Sequence, residues 1–160
     1  MKKIASFALN HDVLQKGMYL SRTDGDILTY DLRMRVPNQG DYLDNAAIHT
    51  FEHLFATFAR NTPDQNQIVY FGPMGCRTGF YLLTRDALPH TGAIQLTKDA
   101  MDFIANYNEE IPGTKKEECG NYKEHDLQGA RAIAKDMQTV LADWTEQDLA
   151  YPEAPEGTFV

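Results

Sequence analysis

Apolar and polar residues alternate most regularly on the two sides of an Asp24-Gly25 pair. Asp-Gly is a strong signal for a tight hairpin turn. After this turn, the side chains expected to face the core are Leu28, Tyr30, Leu32 and Met34. Those expected to face outward are Ile27, Thr29, Asp31 and Arg33. Because side chains alternate between the two faces of a strand, the pattern predicts a hairpin with one buried face.

Helical spacing of apolar residues follows in three places. The first helix is expected to begin with a cap at Asp44 or Asn45 and to end near Arg60. Its predicted buried stripe is Ile48, Phe51, Phe55 and Phe58. A second helix, capped by Thr97, is expected to bury Ala100, Met101, Ile104 and Tyr107. The stripe of a long last helix is Leu127, Ala130, Ile133 or Ala134, Met137, Leu141 and Trp144.

The order of the elements predicts the fold class. Two more apolar runs, at 67–71 and 80–83, indicate strands between the first two helices. Hairpin strands mixed with separate helices favour an α+β fold, with an antiparallel β-sheet and helices packed on one face. We expect a single domain over residues 1–160, with an irregular tail from about residue 150.

Composition narrows the class of protein. The 160 residues fit one domain, and 42% hydrophobic residues supply a core without disulfides. A net charge of −8 disfavours nucleic acid and anionic membranes as partners. No apolar run approaches the roughly 20 residues needed to cross a bilayer, and from the polar residues Asn10, His11 and Asp12 we expect no signal peptide. These features predict a cytoplasmic protein in which Cys76 and Cys119 are free thiols.

The strongest candidate for chemistry is the stretch His49-Thr50-Phe51-Glu52-His53. Residues four apart share a helix face, so both imidazoles can reach one metal ion such as Zn²⁺ or Fe²⁺. Candidates for a third ligand are Cys119, His11, His125 and several carboxylates. From spacing alone, the default expectation for His125 is a surface residue.

Three further side chains have open roles. Cys76 lies between glycine-containing turns, and Arg77 or a metal could make its thiolate available for proton transfer; the alternative is a small buried residue. Arg33 could bind a carboxylate or be a solvated strand residue. Glu52 could activate a metal-bound water or move protons on a substrate.

Several motifs together resemble the S-ribosylhomocysteine lyase (LuxS) family. They are His49-Thr50-Phe51-Glu52-His53-Leu54, Gly72-Pro73-Met74-Gly75-Cys76-Arg77-Thr78-Gly79-Phe80-Tyr81, Cys119-Gly120 and His125-Asp126-Leu127-Gln128-Gly129-Ala130. Two groups nearer the N-terminus also match the family in order and spacing. They are Ser6-Phe7 with His11, and Asp31-Leu32-Arg33 with Pro37-Asn38. The resemblance spans Ser6 to about Trp144, and several ordered motifs are more specific than any one alone.

The resemblance implies a bacterial cytoplasmic enzyme of the activated methyl cycle. Such enzymes cleave S-ribosyl-L-homocysteine to L-homocysteine and 4,5-dihydroxypentane-2,3-dione, the precursor of autoinducer-2 in quorum sensing. Family members are homodimers with sites at the subunit interface, each holding one divalent metal, natively Fe²⁺ and often Zn²⁺.

The family's site residues fall on specific positions of this chain. The metal ligands match His49, His53 and Cys119, and the acid/base pair matches Glu52 and Cys76. Residues that line the substrate pocket match Ser6, His11 and Arg33. Two positions depart from the family pattern: Gly72 replaces a serine, and Tyr70 stands where an acidic residue is expected.

Two other functions fit part of the pattern. His-x-x-Glu-His is also the inverted zinc-peptidase motif, in which Glu52 would activate water and a downstream glutamate would complete the metal site. A structural metal protein is the third hypothesis, although such zinc sites normally have four protein ligands and only three are persuasive in the sequence.

Overall fold

The computed structural model describes residues 1–152, and the predicted irregular tail therefore lies mostly outside the described residues. Within that range one sheet has the strands β1 (Gly17–Asp24), β2 (Ile27–Arg33), β3 (Ile68–Pro73) and β4 (Gly79–Arg85). The strand order is β1-β2-β4-β3, and every neighbouring pair is antiparallel. The helices are α1 (Ala5–Ala8), α2 (Asn45–Ala59), α3 (His90–Ala105) and α4 (Leu127–Leu141). Short 3₁₀ turns lie at Gln65–Gln67 and Glu146–Leu149. The predicted α+β class is confirmed.

The predicted hairpin forms where the sequence indicates it. Asp24 pairs with Ile27 at the end of the β1–β2 ladder, and Gly25 has a φ of +59°. A residue with a side chain adopts this left-handed conformation at a cost, so glycine suits the turn.

An aromatic cluster joins α2 to the sheet. Phe55 stacks on Phe71 with ring centroids 3.8 Å apart, and Phe71 stacks on Phe80 at 5.0 Å. Phe51 lies within 5.0 Å of Phe80 and is fully buried. Because α2 carries the candidate histidines, this packing fixes their position relative to β3 and β4.

The second long helix differs from its prediction. It begins at His90, after Pro89, rather than at Thr97. Thr97 lies inside the helix, where its hydroxyl donates to the carbonyl of Ala93 at 2.8 Å. Proline is well tolerated just before or at a helix start, and Pro89 occupies the position before the first helical residue.

The predicted outward face of β2 is also wrong at two positions. Asp31 is 0% exposed and Arg33 is 2% exposed. Tyr151, which follows the last 3₁₀ turn, covers them and donates a hydrogen bond to Asp31. The sheet therefore has an apolar face under the helices and a second face with a buried ion pair.

The last helix is shorter than its apolar stripe. It ends at Leu141, and Trp144 lies in the segment that follows. The indole of Trp144 donates to the carbonyl of Met18 at 2.8 Å, which ties this segment to β1.

None of the helices formed by residues 1–152 combines the length and apolar character that a membrane span requires.

Candidate active site

Helix α2 presents both predicted histidines on one face. Asp44 caps the helix by accepting from the backbone N–H groups of Ala46 and Ala47, as the sequence predicts. The rings of His49 and His53 lie 4.6 Å apart. Consecutive turns of one helix therefore bring the two imidazoles together.

Backbone carbonyls fix the orientation of both rings. His49 Nδ1 lies 2.8 Å from the carbonyl oxygen of Glu124, and His53 Nδ1 lies 2.8 Å from that of Pro112. With Nδ1 donating to these carbonyls, each Nε2 keeps its lone pair. Metal-ligating histidines usually have such a partner on the other nitrogen.

The loop beside His53 depends on a glycine. Gly113 has a φ of +73°, and a Cβ added there would lie 3.0 Å from His53 Nδ1. A side chain at this position would press on the ring whose orientation Pro112 fixes. Gly113 therefore permits the close approach of the loop to the histidine.

Cys119 joins the two histidines from the loop between α3 and α4. Its Sγ is 3.4 Å from His49 Nε2, and the thiol is half-buried. The backbone N–H of Asn121 also points at this sulfur, at 3.4 Å. A cysteine ligates metals through its sulfur as the thiolate.

His125 is the fourth side chain of the group, and the expectation of a surface position is wrong. Its ring stacks on that of His49 at 4.0 Å, and its Nδ1 lies 3.0 Å from the hydroxyl of Thr50. Burial, followed by the nearby His49 and His53, lowers the pKa of His125 to about 4. His125 is close to Thr50 in the fold although the two are 75 residues apart in the sequence. Hydrophobic periodicity does not show such long-range contacts.

We call His49, His53, Cys119 and His125 the metal cluster. One ligand atom from each lies within 4.8 Å of all the others. Imidazole and thiolate together suit borderline metals such as Zn²⁺ and Fe²⁺. His125 Nε2 is buried and has no hydrogen-bond partner among the described residues. The donor set and the orphaned nitrogen both fit a metal at this place.

The other candidate ligand, His11, lies outside the metal cluster. Its Nδ1 bonds to the carbonyl of Leu9 in its own loop. Ser6 lies on the one-turn helix α1, which buries none of its residues. Within one chain the structure therefore does not bring Ser6 and His11 into the metal cluster.

Glu52 lies on α2 between the two histidines and is half-buried. Among residues 1–152 its carboxylate forms no hydrogen bond or ion pair with another side chain. A carboxylate without a structural partner is available to accept or donate protons.

Cys76 is exposed, which rules out the alternative of a small buried residue. It lies in the turn between β3 and β4, and its Sγ is 3.1 Å from the hydroxyl of Thr78. Arg77, the neighbour expected to act on the thiol, instead lies over the ring of Tyr42 at 5.7 Å.

Arg33 reaches Cys76 through Thr78. Its Nη1 donates to the Thr78 hydroxyl at 2.8 Å, and its Nε and Nη2 donate to Asp31 at 3.1 and 2.6 Å. Burial acts to lower the pKa of Arg33, but the charges of Asp31 and Cys76 and the bond to Asp31 offset it, and the pKa is raised. We call Cys76, Thr78, Arg33 and Asp31 the Cys76 arm.

The two departures from the family pattern are packed against each other. A Cβ added at Gly72 would clash with the hydroxyl oxygen of Tyr70. The Tyr70 side chain therefore occupies the space of a side chain at position 72. The two substitutions are compatible as a pair because the glycine makes room for the tyrosine.

Together these features define a small α+β protein with a histidine-cysteine metal cluster and a separate exposed cysteine. The family model described as S-Ribosylhomocysteinase (LuxS) matches residues 4–148. The S-ribosylhomocysteine lyase of Clostridium acetobutylicum is 43% identical over 158 residues, covering 96% of this chain and all of that protein. Those of Finegoldia magna and Phocaeicola vulgatus are 41% and 42% identical, covering 96% and 95% of this chain and 100% and 98% of the relatives. This chain belongs to the S-ribosylhomocysteinase (LuxS) family.

Proposed function

We propose that this protein is an S-ribosylhomocysteine lyase. It cleaves S-ribosyl-L-homocysteine to L-homocysteine and 4,5-dihydroxypentane-2,3-dione, the autoinducer-2 precursor. The observation that carries the proposal is the convergence of His49, His53 and Cys119 in a family member matched over nearly its whole length. Family membership favours this carbon-sulfur lyase over the peptidase.

His49, His53 and Cys119 hold one divalent metal per subunit, with Fe²⁺ as the native ion and Zn²⁺ as a substitute. When bound there, the metal would supply Lewis-acid chemistry to the reaction. Two supports for the ligand assignment are the carbonyl bonds on both histidine Nδ1 atoms and the short distance from Cys119 to His49. His125 packs on His49 and keeps that ring in place.

Glu52 and Cys76 move the protons. The sugar carbonyl must pass from C1 to C2 and then to C3, and each shift takes a proton from one carbon and returns it to the next. Loss of a C4 proton then expels the homocysteine thiolate from C5. The free carboxylate of Glu52 and the exposed sulfur of Cys76 are suited to this work.

Ser6, His11 and Arg33 bind the substrate, and the site is completed across a homodimer. Ile4 and Phe7 in the N-terminal segment are 53% and 67% exposed. Exposed apolar side chains of this kind favour burial against a partner. In this arrangement the N-terminal segment of one subunit brings Ser6 and His11 to the site of the other. The enzyme works in the cytoplasm.

The alternatives differ in what they require of the metal cluster. A peptidase of the inverted type needs a downstream glutamate as third ligand, whereas Cys119 lies beside His49. His125 raises the number of nearby donors to four, so the donor count does not argue against a structural metal site. Catalysis has to be measured to separate that hypothesis from the lyase.

The test is to incubate the metal-loaded protein with S-ribosylhomocysteine and to follow release of the homocysteine thiol. Digestion of casein is measured in parallel. The proposal predicts thiol release without proteolysis. Proteolysis alone would favour the peptidase, and neither activity in a metal-loaded, folded protein would favour a structural site.

A further inference from the structure

Tyr151, in the segment after α4, contacts the Cys76 arm, although it lies beyond the residues matched by the family model, which end at 148. The hydroxyl of Tyr151 donates to Asp31 Oδ2 at 2.7 Å. The same oxygen accepts from Arg33 Nη2. An unbroken series of hydrogen bonds therefore runs from Tyr151 to Cys76 through Asp31, Arg33 and Thr78.

Aromatic packing fixes Tyr151 over the sheet. Its ring stacks on Tyr19 of β1 with centroids 5.0 Å apart and planes 24° apart. Tyr19 in turn meets the edge of Trp144 at 5.7 Å, and the Trp144 indole is bonded to Met18. The position of the Tyr151 hydroxyl is thus set by contacts independent of its bond to Asp31.

Because Asp31 is buried, the hydrogen bond from the Tyr151 hydroxyl matters for its carboxylate. Asp31 and Arg33 have side-chain exposures of 1% and 3%, so little water is available to replace a lost partner. The groups that face the pair are Tyr19 from β1, Tyr81 from β4, and Tyr151. Burial, followed by the charge of Asp31, raises the pKa of all three phenols, which therefore remain neutral donors.

We propose that Tyr151 is a positioning residue for Cys76. Its hydroxyl holds the Asp31 carboxylate, the carboxylate holds the Arg33 guanidinium, and the guanidinium orients Thr78 against the sulfur. A buried carboxylate that loses one donor draws more strongly on those that remain. Without the phenol, Asp31 draws Arg33 away from Thr78, and the thiolate of Cys76 loses support. The proposal rests on the proton-transfer role of Cys76 in the proposed function.

The first test is Tyr151→Phe, which removes the donor and keeps the stacking ring. In the metal-loaded protein, alkylation of Cys76 by iodoacetamide is followed against pH by peptide mass spectrometry. We expect the alkylation profile to move to higher pH. The kcat for thiol release should fall about tenfold, the low end for loss of an outer hydrogen-bond partner at a catalytic site.

Tyr19→Phe is the matched control, because it removes a hydroxyl from the other stacked ring. That hydroxyl donates to the carbonyl of Gln15 and not to Asp31. The control should keep the wild-type alkylation profile even if its thermal stability falls. An unchanged profile in Tyr151→Phe, with or without a change in stability, would overturn the proposal.

A double-mutant cycle with Thr78→Val tests whether the effect of Tyr151 on Cys76 passes through Thr78. Valine removes the hydroxyl that joins Arg33 to Cys76. On this background, Tyr151→Phe should no longer move the alkylation profile; an equal shift would overturn the route through Thr78. Because alkylation needs no turnover, a shift in a protein that releases no thiol would refute the proposed function and leave the positioning role standing.

Discussion

The metal cluster and the Cys76 arm are held in place by different means. In the metal cluster, backbone carbonyls of Glu124 and Pro112 orient the two helical histidines. In the Cys76 arm, a buried ion pair between Asp31 and Arg33 sets the position of Thr78 and hence of the sulfur.

The difference has a functional consequence. Backbone partners remain when a neighbouring side chain is substituted, so the metal cluster should tolerate change around it. A buried ion pair becomes unfavourable when one partner is lost. The Cys76 arm should therefore respond to substitutions several bonds from the sulfur, whereas metal content should respond mainly to the ligands themselves.

The largest effect is expected from Cys119→Ala, which removes a ligand of the proposed metal site. Cys119 supplies the only thiolate of the metal cluster, so the variant should lose bound metal and all detectable thiol release. Elemental analysis of the dialysed protein checks this. His11→Ala is the control, since His11 lies outside the metal cluster and should leave metal content unchanged. Normal metal content in Cys119→Ala would reject this ligand.

Next in size is Glu52→Gln, which keeps the shape of the side chain but removes its capacity to exchange protons. Metal content should be retained, and kcat should fall by about 10²- to 10⁴-fold, the usual contribution of a general acid or base. Steady-state thiol release measures the effect. The exposed Glu109→Gln serves as control and should behave as wild type. Unaltered kcat in Glu52→Gln would remove Glu52 from the mechanism.

Thr50→Val should have a smaller effect on the metal cluster. The Thr50 hydroxyl lies 3.0 Å from His125 Nδ1 and accepts from the backbone N–H of Asp126. Its loss should weaken metal affinity about tenfold, the low end for outer hydrogen-bond partners of a metal site. Competition with a chelator reports the affinity, and the exposed Thr57→Val on the same helix is the control. Equal affinities in the two variants would show that Thr50 does not support the ligands.

The smallest effect concerns the turn that leads to Cys76. Gly72→Ser places a side chain against Tyr70, which is 52% exposed and can rotate away. We expect a loss of about 1 kcal/mol in the free energy of unfolding, at the low end for overpacking. Adding Tyr70→Asp should restore the free energy of unfolding to the wild-type value, as measured by urea denaturation. An equal loss in the single and double variants would mean that the two positions are not coupled.

The sequence predicts the structure best where the signal is local. Helical spacing placed His49 and His53 on one face of α2, and the Asp24-Gly25 pair placed the hairpin. The resemblance to the lyase family supplied Cys119, which the spacing had left as one candidate among several. These positions depend on neighbouring residues or on whole motifs, both of which are visible in the sequence.

The missed features depend on contacts between distant segments. Alternation predicted that Asp31 and Arg33 would face solvent, because no local pattern shows that Tyr151 covers that face of β2. His125 and Thr78 are single polar residues whose roles arise only when α2 meets the loop before α4 and when β2 meets β4. Periodicity describes one helix or strand at a time and does not show which distant segments pack together.

The division of work between the metal cluster and the Cys76 arm is tested most directly by Cys76→Ala, with metal content and thiol release measured on the same sample. Cys76 is exposed, so the substitution leaves no cavity in the core. The account predicts wild-type metal content together with thiol release at least about 100-fold below wild type. Full activity, or loss of the metal, would contradict it.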